Sequence, residues 1–476
     1  MAASVTVTVA DMNAQGPLPE QLATAGARRR QARRIRGAIV IAVPLVAGGI
    51  FVANEVAVKL VDLRYRLQLV EARQDALARV EAADAKREQM RRGPARLAGN
   101  ASFSLGQGTW EPFANADLVP GWPEDFERSK ALGVHGDHLY AGLSRPGAAA
   151  PQVWRSDGRR WEIVGREDFI PAWSGHKQVT ALASTGTALF AAIDDTVWAY
   201  QPSRRWHCIG GAGAFGSWPA GAYANAYALA AHDGTLFVGM HGGDAAVYAY
   251  TGGRWEKIAG SGLRGSWSNA RYRGVYELWV HTDGRLYAGL VANPGPTAVY
   301  RYDGARWEKV GGDGINGSWT YPGLTYAFSF ASVGGQLVVS MNRMPMVHDD
   351  FSSIWAFDGR GWNPVGLGHI PALWGAMQSY NAVASYRGLL LIGAGGIPAG
   401  NASLWTVRDG RPEMIAGHGI NGSWGKRERG IADWLDPGNN EYVYRILEWR
   451  GDLIVGFGDD PGMAQLWRFR PAAARR

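Results

Sequence analysis

Residues 299–319 read VYRYDGARWEKVGGDGINGSW, and the spacing inside this stretch recurs along most of the chain. Seven times a first anchor is followed twelve residues later by a tryptophan: Trp110/Trp122, Trp161/Trp173, Trp206/Trp218, Trp255/Trp267, Trp307/Trp319, Trp362/Trp374 and Pro412/Trp424. Only Pro412 breaks the run. First anchors stand 51, 45, 49, 52, 55 and 50 residues apart. That period belongs to propeller blades of four strands each rather than to helical arrays.

Around Trp307 the pattern predicts an inner strand at 276–284, then strands at 286–290, 299–302 and 306–310. Asp283-Gly284 and Asp303-Gly304 mark tight hairpins, in which both turn residues take positive φ. Aromatic and β-branched residues fill the strands, as a pleated, packed surface prefers. The array opens on a fourth strand, GTWEPF at 108–113, and stops after a third, QLWRFR at 465–470. Each end supplies what the other lacks. The expectation is an all-β, seven-bladed β-propeller whose N- and C-terminal strands share one blade and leave no open edge.

The region before the repeats reads differently. Residues 1–36 form a polar tail ending in RRRQARRIR, and 37–54 run without a charge. That length crosses a bilayer as a helix, with the basic flank keeping the N-terminus cytoplasmic and the rest outside. Residues 55–92 predict a helical stalk with about two heptads, a means of homo-oligomerisation; 93–107 read as a linker and 471–476 as a tail. The expected address is therefore the cell membrane of a bacterium, single-pass, with a periplasmic or extracellular propeller.

Charge follows the same division. Residues 1–100 hold 16 Lys/Arg against 9 Asp/Glu, and residues 101–476 hold 33 against 33. A neutral repeat domain lacks the basic footprint that nucleic acid requires. Cys208 is the single cysteine; it excludes an intrachain disulfide and reads as strand filler.

The order of inner strand, L-Y-x-G, Y-x-Y-D-G and W-x-x-V resembles the kelch repeat of galactose-oxidase-like propellers. Matching positions are Tyr287/Gly289 with Tyr302/Asp303/Trp307, and Phe237/Gly239 with Tyr250/Trp255. The resemblance covers about residues 108–470. It departs where the family has a glycine doublet and a longer turn before the tryptophan. VYRYDGARW is also similar to the repeat of tectonin-type lectin propellers. Either resemblance implies a scaffold that presents ligands or partners.

In such blades the loops joining strands two and three, and those joining one blade to the next, share a face. Length variation and chemistry concentrate there, which makes it the expected binding face. A tryptophan repeated at one offset per blade reads as a wedge between blades. The varied loops give the candidate ligand residues: Arg343, His348, Asp349 and Asp350; Arg427, Trp434 and Asp436; Asp459 and Asp460. No catalytic residue is assigned, because the chain has no HExxH, zinc spacing, GxSxG or phosphate loop. No cofactor is assigned; the paired aspartates offer oxygen ligands that suit Ca²⁺. The expected function is non-catalytic binding of a glycan or protein at the cell envelope. The alternative is an envelope carbohydrate-active or oxidising enzyme using the loop-face acids.

Overall fold

The computed structural model describes Leu105 and residues 108–145, 150–201, 205–342, 353–365, 378–396, 402–408, 411–417, 419–424, 442–458 and 462–472. Among these residues the strands fall into consecutive four-stranded antiparallel sets. The inner strands are Arg128–His135, Val179–Ser184, Asn225–His232, Tyr272–Val280, Tyr326–Val333, Gln378–Tyr386 and Tyr442–Trp449. Each lies against the next, and the last lies against the first, so they surround a central channel. We number the blades one to seven in this order. The seventh blade is completed by Gly108–Ala114, which pairs with Leu466–Pro471 from Gly108↔Pro471 to Ala114↔Leu466. Leu105, from the expected linker, is buried beside Trp110 and Trp424 in that blade's core.

The helical part of the expected architecture is corrected. Helical geometry among the described residues is confined to single 3-10 turns of three residues in the inter-blade loops. No helix there is long and apolar enough to cross a membrane. The fold that the described residues support is all-β and contains no such helix, so the transmembrane helix placed at 37–54 and the stalk at 55–92 are not part of it. Those two segments, and the tail 1–36, lie outside the described residues.

The hairpins also differ in mechanism from the expectation. At Asp283-Gly284 and Asp303-Gly304 only the glycine takes positive φ, 76° and 98°. The aspartate instead turns the chain with its carboxylate. Asp303 Oδ1 accepts from the N–H groups of Ala305 and Arg306 at 2.9 and 2.8 Å, and Asp157 and Asp358 repeat this in their own blades. These are Asx turns, which aspartate forms without leaving the ordinary backbone regions. Backbone N–H donors hold the Asp157 and Asp303 carboxyls below the usual carboxylate range.

Tryptophan pairs seal the seams between blades. The second tryptophan of one blade meets the first of the next edge to face: Trp218/Trp255 at 5.3 Å, Trp267/Trp307 at 5.6 Å, Trp319/Trp362 at 5.1 Å and Trp424/Trp110 at 5.2 Å between ring centres. Such pairs add about 0.5–1.5 kcal/mol beyond their buried area. Most first tryptophans also donate Nε1–H to the outer strand of the preceding blade, as Trp255 does to Ile209 (2.7 Å) and Trp362 to Val310 (2.7 Å). Five second tryptophans donate within their own blade, as Trp267 does to Ala245 and Trp319 to Thr297, whereas the buried Trp173 N–H has no partner. At six seams among the described residues the expected wedge role is thus met by rings facing each other, with little surface left over.

The glycine of L-x-x-G answers a different demand at the same seams. A Cβ on Gly239 would stand 2.7 Å from Val275 of the next blade, and one on Gly289 2.8 Å from Phe330. Four seams are also crossed by a single ladder pair, such as His241↔Gly274 and Val291↔Tyr326. Where blade one meets two, and five meets six, side chains stand in for that pair. Val179 N–H donates to Ser144 Oγ at 2.9 Å. Asn342 binds both backbone groups of Tyr380, accepting its N–H at 3.2 Å and donating to its carbonyl at 3.1 Å.

Candidate functional site

The register of every inner strand against its neighbour slips by one residue near the strand's first end. A bulge leaves one residue out of the ladder and re-aims its side chain. Here the bulged residues are aromatic in four blades: Tyr227, Tyr276, Phe328 and Tyr444. In the other three they are Lys130, Thr180 and Asn381. All seven line one cavity along the channel axis. The inter-blade loops lead directly into these strand ends, so the ring stands just inside the loop-face mouth.

The cavity measures about 450 Å³ counted out to open solvent, yet inside it there is room for little more than a water molecule. Lys130 fills part of it. Its ammonium sits 3.9 Å from the ring centre of Tyr227 and 4.8 Å from that of Tyr276. It also donates to the Tyr227 hydroxyl and lies 3.5 Å from the Tyr276 hydroxyl. A cation over aromatic faces is favoured by their quadrupoles, more so when water is excluded. Tyr276 packs in turn on Phe328 at 4.5 Å and Tyr326 at 5.2 Å. One residue further along the strands, Arg445 of blade seven reaches Glu277 of blade four at 3.1 Å. That ion pair crosses the channel and gives the ring a floor.

Burial holds the Tyr227 and Tyr276 phenols well above their ordinary range, so both keep their protons as hydrogen-bond donors. His241, which ends the second strand of blade three, packs against Tyr227 at 5.1 Å. Burial, then the Lys130 charge, lowers its pKa to about 4. Asn381 is 1% exposed; its Oδ1 accepts from Asn342 Nδ2 at 2.9 Å, while its own Nδ2 has no partner.

None of the residues singled out from the sequence belongs to this ring. Arg343, His348, Asp349, Asp350, Arg427, Trp434, Asp436, Asp459 and Asp460 all lie outside the described residues, and with them the aspartate pairs considered for Ca²⁺. Cys208 is half-buried, and burial pushes its thiol up, away from the thiolate that reactivity needs. The missed ring had a signal. Set side by side, the inner strands read Lys130-Ala-Leu, Thr180-Ala-Leu, Tyr227-Ala-Leu, Tyr276-Glu-Leu, Phe328-Ser-Phe, Asn381-Ala-Val and Tyr444-Arg-Ile. One position varies in size and charge while the third stays apolar.

No family model and no curated protein matches the chain. Among solved structures it is similar to the WD40 domain of Neurospora crassa Pan2, at 9% identity over 78% of this chain and 98% of that one, with TM-score 0.47. It is also similar to YCF48 from Cyanidioschyzon merolae, at 10% identity over 77% and 100%, TM-score 0.48. A third is the extracellular domain of a hybrid two-component system of B. thetaiotaomicron, at 12% identity over 75% and 39%, TM-score 0.47. At such scores the β-propeller assignment rests on the strand pairing of the chain itself.

Proposed function

We propose that this chain is a non-catalytic binding propeller that takes a glycan or a protein partner at the loop-face mouth of its channel. The ring of bulges carries this reading. A bulge sacrifices ladder pairing, and its repetition in every blade turns one side chain per blade toward a common axis. Those seven positions hold five residue types, Lys, Thr, Tyr, Phe and Asn, where the seams repeat tryptophan and glycine. The same face carries, among the described residues, the large apolar side chains that stand exposed: Leu118, Phe169, Phe215, Leu263 and Ile315. Each lies three or four residues before a seam tryptophan. Exposed apolar groups gathered on one face mark contact surfaces more often than those scattered singly.

A glycan array and a pull-down with the full chain test the proposal. A ligand found by either should be lost from Tyr326→Ala and weakened in Lys130→Gln. A ligand that both variants retain at full affinity places binding away from the mouth and overturns the reading.

A further inference from the structure

We propose that the face opposite the mouth docks on an anionic lipid surface through a rim of arginines, whatever the mouth itself binds. The residue just ahead of the first tryptophan is Arg160, Arg205, Arg254 and Arg306 in blades one to four; in blade five Arg360 stands two positions ahead. Each opens or precedes the outermost strand of its blade, so the five occupy equivalent points around the outer edge of one face. All five are exposed. Arg205, Arg254, Arg306 and Arg360 have no ion pair among the described residues, and Arg160 reaches only Asp157, at 3.9 Å. A tryptophan repeated in every blade answers a packing demand. An exposed, unpaired arginine answers none, since such residues add little to stability. Its recurrence points outward, to a surface that meets several blades at once.

Charge on this face agrees. With Arg159, the turns joining third and fourth strands present six arginines against three aspartates among the described residues. Those aspartates, Asp157, Asp303 and Asp358, are drawn back into their own turns by backbone N–H groups. The Asp157 side chain is 39% exposed where that of Arg160 is 80% exposed. The next acids along the outer strands, Glu162, Glu256 and Glu308, are already paired with Arg155, Arg264 and Arg301. Nearer the axis the turns joining first and second strands balance, with Asp137, Asp233 and Asp283 against Arg285, Arg387 and Arg450.

Shape selects the partner. A small anion touches one blade, and a rod of nucleic acid crosses a ring at two places. A bilayer surface reaches the whole rim, and its phosphates accept the paired N–H groups of a guanidinium. The path of the chain points the same way. Gly108 opens the outer strand of blade seven and pairs with Pro471, which closes the strand beside it, so both ends of the propeller leave from this face. The sequence leading to it holds the arginine cluster 28–36 and the charge-free stretch 37–54, a composition suited to the same surface. Docked in this way, the propeller turns its mouth away from the lipid.

Arginine footprinting of the full chain with hydroxyphenylglyoxal and mass spectrometry tests the contact. Vesicles of phosphatidylglycerol in phosphatidylcholine should slow modification of Arg205, Arg254, Arg306 and Arg360 about threefold or more relative to phosphatidylcholine alone, while Arg166 on the mouth side reacts equally with both. In vesicle sedimentation each single Arg→Gln change at the rim should weaken binding about fivefold, the worth of one basic residue at an anionic surface, and added salt should weaken it further. Melting curves should be unchanged, since these side chains are exposed. Equal modification on both vesicles overturns the proposal. So does a quadruple Arg→Gln variant that binds as tightly as the parent, which assigns the lipid contact to residues 28–36 alone. Protection of the same arginines by duplex DNA or polyglutamate, but not by vesicles, replaces the lipid with another partner.

Discussion

The seams and the channel ring are built from the same seven-fold repetition and use it in opposite ways. At each seam the demand is identical: two rings must meet edge to face, and a second-strand residue must let the next blade approach. The sequence answers with tryptophan and glycine almost every time. At the bulge the backbone repeats while the side chain ranges over lysine, threonine, asparagine, tyrosine and phenylalanine. Repetition of the residue tracks stability, and variation at a repeated backbone position tracks the site.

The sharpest test of that division is to truncate one seam tryptophan. Trp307 is 3% exposed, packs on Trp267 and Tyr302, and donates to Ile258 across the seam. Trp307→Ala should cost about 3–5 kcal/mol in chemical denaturation, the range of large-to-small changes in a core. Lys130→Gln in the ring should cost less than about 1 kcal/mol, as most substitutions away from packed cores do. If the two costs were alike, the ring would be structural and the contrast would fail.

Acid should expose the ring without any mutation. His241 stays neutral in the fold, its pKa lowered to about 4 by burial and by Lys130. The unfolded chain protonates the same residue near its ordinary value of 6.5. Its contribution is therefore complete above about pH 6.5 and is lost as the pH falls from there toward 4, by at most on the order of 3 kcal/mol. His241→Gln should flatten the stability profile across that window. An unchanged profile in His241→Gln would show that the histidine titrates freely.

The seam glycines come next in size. Gly239→Ala brings a methyl 2.7 Å from Val275 Cγ1 and 3.2 Å from Ala228 Cβ, an overpacking expected to cost about 1–3 kcal/mol. Blade two already holds Ala192 at the matching register position, opposite Ala181. Ala192→Gly should therefore give no gain through relief of strain. A stabilised Ala192→Gly would mean that the glycine rule reflects the backbone rather than the approach of the next blade.

What could be read beforehand divides along the same line. Trp307, Gly289 and Asp303-Gly304 announced blades because a packing demand repeated seven times leaves the same letters at the same offsets. The pairing of 108–113 with 465–470 followed from counting strands. Bulges leave no letter of their own; Tyr276 looks like any strand tyrosine until the register of Val275↔Leu290 and Glu277↔Gly289 is known. In the sequence, charged loops such as 343–350 therefore stand out instead. Asn381 was hidden for a further reason, since its unpartnered amide depends on Asn342, 39 positions away in the chain and one blade away in space.

Blade five gives the smallest and most discriminating prediction, because there the seam position carries neither glycine nor alanine. Ser340 pairs with Ser329 at that register. Its hydroxyl is fully buried with no partner, whereas Ser329 Oγ accepts the Val383 N–H of the next blade at 3.2 Å. The two serines look equivalent in the sequence and are opposite in energetics. Ser340→Ala removes an unsatisfied group and should be neutral or stabilising by up to about 1 kcal/mol, while Ser329→Ala strips a buried N–H of its acceptor and should cost about 1–3 kcal/mol. Thermal melts of the two single variants separate these signs. If both destabilise alike, Ser340 has an acceptor at this seam, and the close approach between blades five and six is held by a pair of hydroxyls rather than by the amide of Asn342.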